Sequence, residues 1–230
     1  GERLVIGFIG GSITQGSLST TPQTCYAYRV YTWWKETFPQ AEFAYCNAGI
    51  GGTTSEFGAA RVGTDLLAER PDFVIVEFSV NDESTEHFKE TYEGLVRKIL
   101  GAAWNPAVLL VHNVFYHNGA NAQVMHAAIG RHYDLPSVSM QSSIYSEVVA
   151  GRIANRAITP DDLHPNDEGH ALVASVITYF LERVRSGKLT GSNARFTPGA
   201  NLPVPLTKNA YEDSVRIRNA AAPDMAGLPQ

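Results

Sequence analysis

Leu4-Val5-Ile6-Gly7-Phe8-Ile9, followed at once by Gly10-Gly11-Ser12-Ile13-Thr14, decides how the rest of the chain is read. The first six residues are apolar but for Gly7. That run is strand-length and too short for a helix, and it ends on a glycine pair. A continuous apolar run is the mark of a strand buried on both faces, as in a parallel sheet. The glycines permit a sharp turn, and a helix start follows. Strand, tight turn and helix make the first half of a βαβ unit.

The same alternation continues outward to about residue 186. Helix is predicted near 25–37, ended by Pro39, near 55–69, near 86–102 and near 121–133, with a last helix from about Asn166 to Arg185. Strand is predicted over Glu42–Ala48, over Phe73–Phe78 after Pro71-Asp72, over Ala107–Val114 and over Pro136–Met140. This rhythm predicts an α/β fold, a three-layer α/β/α sandwich with a central parallel sheet. Ligands in such sheets bind beyond the carboxyl ends of the strands. Polar segments directly after strands are therefore where chemistry should be sought.

Composition narrows the classes of function. The 230 residues are 44% apolar and 18% charged with a net charge of −5, enough to bury one sizeable core. No basic stripe points to nucleic acid, and no basic amphipathic helix points to a membrane surface. No apolar run approaches the roughly 18 residues of a membrane span. Two cysteines, Cys25 and Cys46, are too few for a disulfide framework or a cysteine metal site. Each reads as a small buried apolar residue, with a single bridge as the alternative. The start at Gly1 reads as a processed or excised end, which leaves secretion open.

Pro198, Pro203, Pro205, Pro223 and Pro229 interrupt the stretch after Ser186, where periodicity is weak. Residues 1–186 are therefore expected to form one α/β domain. Residues 187–230 read as a strap over it or as a linker into the start of a truncated second domain, with the linker preferred. No internal repeat is present.

Four segments could carry chemistry. Ser12, exposed by a strand-to-helix turn between glycines, could act as a nucleophile, but alone it reads better as a helix cap. Asn47-Ala48-Gly49-Ile50-Gly51-Gly52-Thr53-Thr54 fails the dinucleotide fingerprint, because Thr54 stands where its last glycine belongs. Its glycines could still turn backbone N–H groups toward a ligand. Ser79-Val80-Asn81-Asp82 ends the third strand, and the Asn81 amide could donate to an oxyanion without titrating, or Asn81 or Asp82 could simply cap the next helix. In Asp161-Asp162-Leu163-His164-Pro165-Asn166, a carboxylate three residues before a histidine could fold back to orient it as a base.

Taken together, in the order Ser, Gly, Asn, Asp-x-x-His, these segments resemble the SGNH (GDSL-like) hydrolases over about residues 3–186. The resemblance implies a flavodoxin-like sandwich. It implies Ser12 as nucleophile and first oxyanion N–H, with Gly52 supplying a second N–H and Asn81 a side-chain NH₂. It also implies His164 as general base and Asp161 as its orienting carboxylate, with Asp162 a rival that the three-residue spacing disfavours. Two positions depart from the family pattern: Gly11 stands in place of the usual Asp, and Ser79 in place of the usual Gly.

The remaining histidines, His87, His112, His117, His126, His132 and His170, lack paired metal-ligand spacing and are expected at the surface or in helix packing. Trp33 and Trp34 are expected to pack rather than to serve as a sugar platform. Glu77, in an apolar strand, should hold a buried hydrogen bond. The expected function is serine-esterase acyl transfer that needs no metal or organic cofactor. Its substrate is expected to be a small-molecule or polysaccharide ester, an O-acetyl group on carbohydrate above all. The segments Ser17–Thr24 and Phe115–Asn121 offer hydroxyls, amides and an aromatic ring, but no apolar wall for a long acyl chain. A carbohydrate-binding domain beyond Gln230 is a further expected partner. The alternatives are a lipid esterase, lysophospholipase or thioesterase of the same fold and, from another class, a binding module without turnover.

Overall fold

Five strands, β1 (Arg3–Gly10), β2 (Glu42–Gly49), β3 (Phe73–Glu77), β4 (Ala107–His112) and β5 (Ser137–Ser139), pair in parallel in the order β2-β1-β3-β4-β5 in a computed structural model that describes residues 3–189 and 202–217. The register aligns the strand ends. Gly10 of β1 stands opposite Gly49 of β2 on one side and Glu77 of β3 on the other. The turns after β1, β2 and β3 therefore leave the sheet at one level. From β1 the chain first builds outward to β2, then crosses to β3 on the other side of β1. This reversal places a crevice between β1 and β3 at the carboxyl edge.

Among the described residues eight α-helices flank the sheet: α1 (Ser12–Gln15), α2 (Tyr26–Thr37), α3 (Ser55–Asp65), α4 (Glu86–Leu100), α5 (Gln123–His132), α6 (Ile144–Val149), α7 (Asn155–Ile158) and α8 (Asp167–Arg185). Side chains alternate across each strand. Ile75 of β3 and Leu109 and Val111 of β4 enter a core with Val30 of α2 and Ile177 and Leu181 of α8. Val74, Val76, Val108 and Leu110 enter the opposite core with Val62 of α3, Leu95 of α4 and Ile129 of α5. Both faces are apolar, so the strand runs are continuous rather than alternating. This is the predicted three-layer α/β/α sandwich.

The helix expected near 55–69 divides. α3 ends at Asp65, and a 3-10 turn over Leu67–Glu69 leads to Arg70 at φ 50°. Leu66, fully buried, anchors the break. α6 and α7 were not expected, being too short to show a period. α4 and α8 start on caps: the Thr85 side chain accepts from Phe88 N–H, and that of Asn166 from Gly169 N–H at 3.0 Å. Both cysteines are free, Cys25 buried and Cys46 half-buried. Trp33 and Trp34 pack edge to face, and Trp34 also meets Phe38 and Phe73. Their role is in packing. No helix among the described residues is long and apolar enough to cross a membrane.

Residues 202–217 lie across α3 and α4. The Glu93 carboxylate accepts from Leu206 N–H at 2.6 Å and Thr207 N–H at 2.7 Å, Arg97 pairs with Glu212 at 2.6 Å, and Arg216 N–H donates to Ala60 O at 2.8 Å. Contact is close enough that a Cβ on Gly94 would stand 2.8 Å from the Tyr211 carbonyl carbon. The linker and second-domain readings fall on 190–201 and 218–230, which lie outside the described residues.

Candidate active site

Ser12 opens α1 immediately beyond β1, and its Oγ lies 2.8 Å from His164 Nε2. His164 sits in the loop before α8. Its Nδ1 is 2.6 Å from Asp161 Oδ2, and Asp161 Oδ1 accepts the backbone N–H of His164 at 2.7 Å and of Leu163 at 3.1 Å. One carboxylate thus fixes both the imidazole and the loop that carries it. Burial works to raise the Asp161 pKa, but the ring and backbone hydrogen bonds outweigh it and hold the carboxyl below its ordinary range. With Nδ1–H directed at a carboxylate, Nε2 presents its lone pair to the Ser12 hydroxyl.

Asp162 is engaged elsewhere. It adopts φ 69°, accepts from Asn155 Nδ2 at 2.5 Å and pairs with Arg156 at 2.8 Å. Its carbonyl accepts Tyr116 N–H at 2.7 Å, which ties the loop after β4 to the histidine loop. The two neighbouring acids are therefore separated by the left-handed turn at Asp162, and it is Asp161 that meets the ring.

The expected oxyanion donors are the N–H of Ser12 itself and two positions on the neighbouring turns. Ser12 N–H begins its helix and has no intrahelical acceptor. Gly52 is exposed at φ 70°, a conformation that favours glycine, and among the described residues nothing accepts its N–H. Asn81 follows β3 in a turn closed by its own N–H on Phe78 O at 3.0 Å. Its amide packs directly on Gly11, so any Cβ at residue 11 would collide with it. The departure at Gly11 has a steric reason: the Asn81 amide fills the space that a side chain there would need. Asn81 Oδ1 is the buried, unpartnered end of the amide, which leaves NH₂ as the end that reaches solvent.

Asp82, a candidate cap for the helix after it, instead braces these turns, as do residues that the sequence did not single out; the cap of that helix is Thr85. Asp82 accepts Ser55 N–H at 2.8 Å and pairs with His126 at 2.9 Å, tying the Asn81 turn to the start of α3 just beyond Gly52. Arg61, fully buried on α3, donates to Ala48 O at 2.6 Å and Gly10 O at 3.1 Å, pinning the ends of β2 and β1. Asn47 donates to Thr14 O at 2.8 Å and accepts Gly49 N–H at 2.9 Å. The only sequence signal for Arg61 was a charge beside apolar Val62 on a packed helix.

Glu77 holds the buried hydrogen bonds expected of it. Its Oε1 meets Ser79 N at 3.1 Å and Ser79 Oγ at 3.0 Å, while Ser79 Oγ also lies 3.0 Å from Asn113 O. Burial pushes the Glu77 pKa up to about 7 against the opposing hydrogen bonds from Ser79. One hydroxyl proton cannot serve both Glu77 and Asn113. A protonated Glu77 resolves this by donating to Ser79 Oγ, which in turn donates to Asn113 O. The second departure, Ser79, is thus a hydroxyl used by a buried acid.

His87 and His117 are exposed, while His126 and His170 are buried on their helices, and burial lowers His170 to about 4. His112, at the end of β4, is buried outright, and burial together with nearby His126 lowers it to about 3. Among the described residues no group of three or more His, Cys, Asp or Glu side chains gathers as a metal site.

A parallel sheet that delivers a serine after its first strand, an asparagine after its third and an Asp-x-x-His loop before its last helix defines an acylhydrolase frame. The chain belongs to the GDSL-like lipase/acylhydrolase family, whose model matches residues 8–172. Among solved structures it is similar to a two-domain esterase (CEX) active on acetylated mannans, with a TM-score of 0.89 and 69% identity over 96% of this chain and 58% of that one. A structure of an esterase of the same description co-crystallized with mannopentaose gives 0.88 and 68%, over 96% and 57%. The chain thus spans less than three fifths of those two-domain esterases. Axe2, an acetylxylan esterase from Geobacillus stearothermophilus, is 19% identical with a TM-score of 0.64 over 76% of this chain and 93% of that one, a likeness of fold. No curated protein matches the chain.

Proposed function

We propose that the chain is a serine esterase that removes short acyl groups, acetyl above all, from carbohydrate. The observation that carries this reading is the unbroken relay from Ser12 Oγ through His164 to Asp161, with contacts of 2.8 and 2.6 Å. In the reaction, His164 Nε2 takes the Ser12 proton as Oγ attacks the ester carbonyl carbon. The carbonyl oxygen becomes an oxyanion, received by the N–H groups of Ser12 and Gly52 and the NH₂ of Asn81. The intermediate collapses, the C–O bond to the sugar breaks, and the imidazolium gives its proton to the departing hydroxyl. Water, deprotonated by the same imidazole, then attacks the acyl-enzyme, releasing acetate and restoring Ser12. Asp161 stays ionised throughout, orienting the ring and stabilising its cationic form.

The choice of substrate is supported by the likeness to the mannan-active esterase and by the polar loops at the crevice. Half-buried Ser17 and Ser19 and exposed Thr20, His117 and Asn118 provide hydrogen-bond partners for sugar rather than a wall for acyl chains. The same reading makes residues 1–186 the catalytic domain and places a carbohydrate-binding domain beyond Gln230. The two-domain build of the similar esterase supports a further domain.

The test compares p-nitrophenyl acetate, octanoate and palmitate, an acyl-CoA thioester, and acetylated mannan and xylan. Acetate release from mannan is expected, with turnover falling steeply beyond butyryl. Ser12→Ala should abolish turnover and leave Tm nearly unchanged. Preference for octanoate or the thioester, with no acetate released from either polysaccharide, would move the protein to the lipid or thioester class. Activity retained in Ser12→Ala would remove the serine mechanism.

A further inference from the structure

We propose that Gln15 is a positioning residue for the oxyanion site: it holds the Gly51-Gly52 turn where the Gly52 N–H can meet the oxyanion. The proposal rests on the esterase reading above. Gln15 is the last residue of α1, three positions after the nucleophile, and its side chain is exposed. Its Oε1 accepts Gly51 N–H at 2.7 Å. A Cβ on Gly51 would stand 2.8 Å from that Oε1 and 3.6 Å from Ser12 Cβ. The Gly51 backbone therefore lies between the Gln15 amide and the nucleophile, and a side chain there would push the Gln15 amide away. Gly49 packs just as closely on the Thr14–Gln15 backbone, so the serine helix and this turn touch at two points.

What makes a latch necessary is the glycine pair. Gly51 and Gly52 are both exposed, and Gly52 sits at φ 70° with open space where a Cβ would lie. Such a pair rotates freely unless tied, because glycine carries the largest conformational entropy of any residue. The direction of the Gly52 N–H is set by rotation about the Gly51–Gly52 segment, and the Gly51 N–H bond to Gln15 is what restrains that rotation from the serine side. The next ties lie on either flank, Ile50 N–H on Gly10 O at 3.0 Å and Thr53 Oγ1 on Ile50 O at 2.7 Å. An amide suits the task. It accepts the Gly51 N–H as a carboxylate would, but adds no negative charge beside a developing oxyanion.

The test uses Gln15→Met, which keeps length and helix propensity but removes the acceptor, and Gln15→Glu, which keeps the acceptor and adds a charge. Solvent exchange of the Gly51 amide, read by ¹⁵N NMR, should accelerate about tenfold in Gln15→Met and return toward wild type in Gln15→Glu. Turnover of p-nitrophenyl acetate should fall about 10- to 100-fold in kcat for Gln15→Met, with KM and Tm unchanged, as for a misplaced rather than missing donor. In Gln15→Glu the exchange should recover while kcat stays depressed. An unchanged Gly51 exchange rate in Gln15→Met overturns the latch, as does an unchanged kcat. Failure of the esterase reading shows separately, as turnover that survives Ser12→Ala or is absent in wild type, and the exchange measurement then still decides whether Gln15 holds the turn.

Discussion

At the scale of single residues, adjacent Asp161 and Asp162 show how backbone conformation separates chemically identical groups. Asp161 contacts His164 through both oxygens, while Asp162, at φ 69°, is spent on Asn155 and Arg156. Asp161→Asn should lower kcat by about 10² to 10⁴-fold, because an amide leaves the imidazole without a carboxylate to fix its tautomer. Asp162→Asn should cost far less, and kcat on p-nitrophenyl acetate for the two variants checks the assignment; a larger loss at Asp162 would reverse it. Asn81→Ala should lower kcat about 10² to 10³-fold with a smaller change in KM, and Asn81→Asp should be worse, since it sets a negative charge beside the oxyanion. Wild-type kcat in both would leave Asn81 as a turn residue alone. The residues placed together here were legible in the sequence because each lies within a few positions of a strand end or helix start. Gln15, Arg61 and His126 were not, because each acts on a partner 36 to 51 residues away.

At the scale of elements, strands and long helices were legible because burial imposes a period on them. The short α6 and α7, anchored in the core by Ile144 and Ile158, span too few residues to show a period, and the stretch 202–217 carries none because it is held by hydrogen bonds to particular side chains. Glu93 makes this plain. It projects from α4 and is fully buried, where its carboxylate accepts from Tyr133 OH at 2.5 Å and from Leu206 and Thr207. Burial works to raise its pKa, but those hydrogen bonds outweigh it and hold the carboxyl below its ordinary range. Glu93→Ala strands several buried donors at once. A loss of about 3 kcal/mol is expected for a buried charged network broken on one side, or roughly 6–12 °C in Tm for a domain of this size. Activity on p-nitrophenyl acetate below the new Tm should persist, because residues 202–217 lie on α3 and α4, not at the crevice. A Tm within one or two degrees of wild type by calorimetry would mean that 202–217 adds little to the fold.

At the scale of the whole molecule, the ionisable groups pull stability in opposite directions with pH. Asp161, Asp65 and Glu93 are held below their ordinary range by their hydrogen bonds against the opposing effect of burial, and Asp167 is lowered to about 2 by its bonds to Thr20 and Thr24. A depressed carboxyl binds its proton more weakly folded than unfolded. Its stabilisation is present above the unfolded pKa and is lost as pH falls through the folded one, here below about 4. Glu77 behaves in the reverse sense. Its pKa rises from 4.5 to about 7, so the folded state holds that proton more tightly than the unfolded chain does. Its contribution is complete below 4.5 and is lost as pH rises toward 7, a loss of about 3 kcal/mol in all. Buried His112 and His170, lowered from 6.5 to about 3 and to about 4, oppose it: the folded state refuses protons that the unfolded chain takes up below 6.5, so their contribution grows as pH rises to 6.5 and exceeds the loss at Glu77. The sum predicts greatest stability near pH 6.5. Glu77→Gln removes the titration while keeping an amide oxygen that can accept Ser79 N–H in place of the carboxyl oxygen. Urea unfolding of wild type and Glu77→Gln at half-unit steps from pH 4 to 8 measures the difference. Between 4.5 and 7 the variant should gain steadily on the wild type, whose Glu77 contribution is being lost, so the two curves should converge or cross near neutrality. Parallel curves would mean that Glu77 is ionised in the folded protein throughout, and that the hydroxyl of Ser79 donates to the carboxylate and leaves Asn113 O without it.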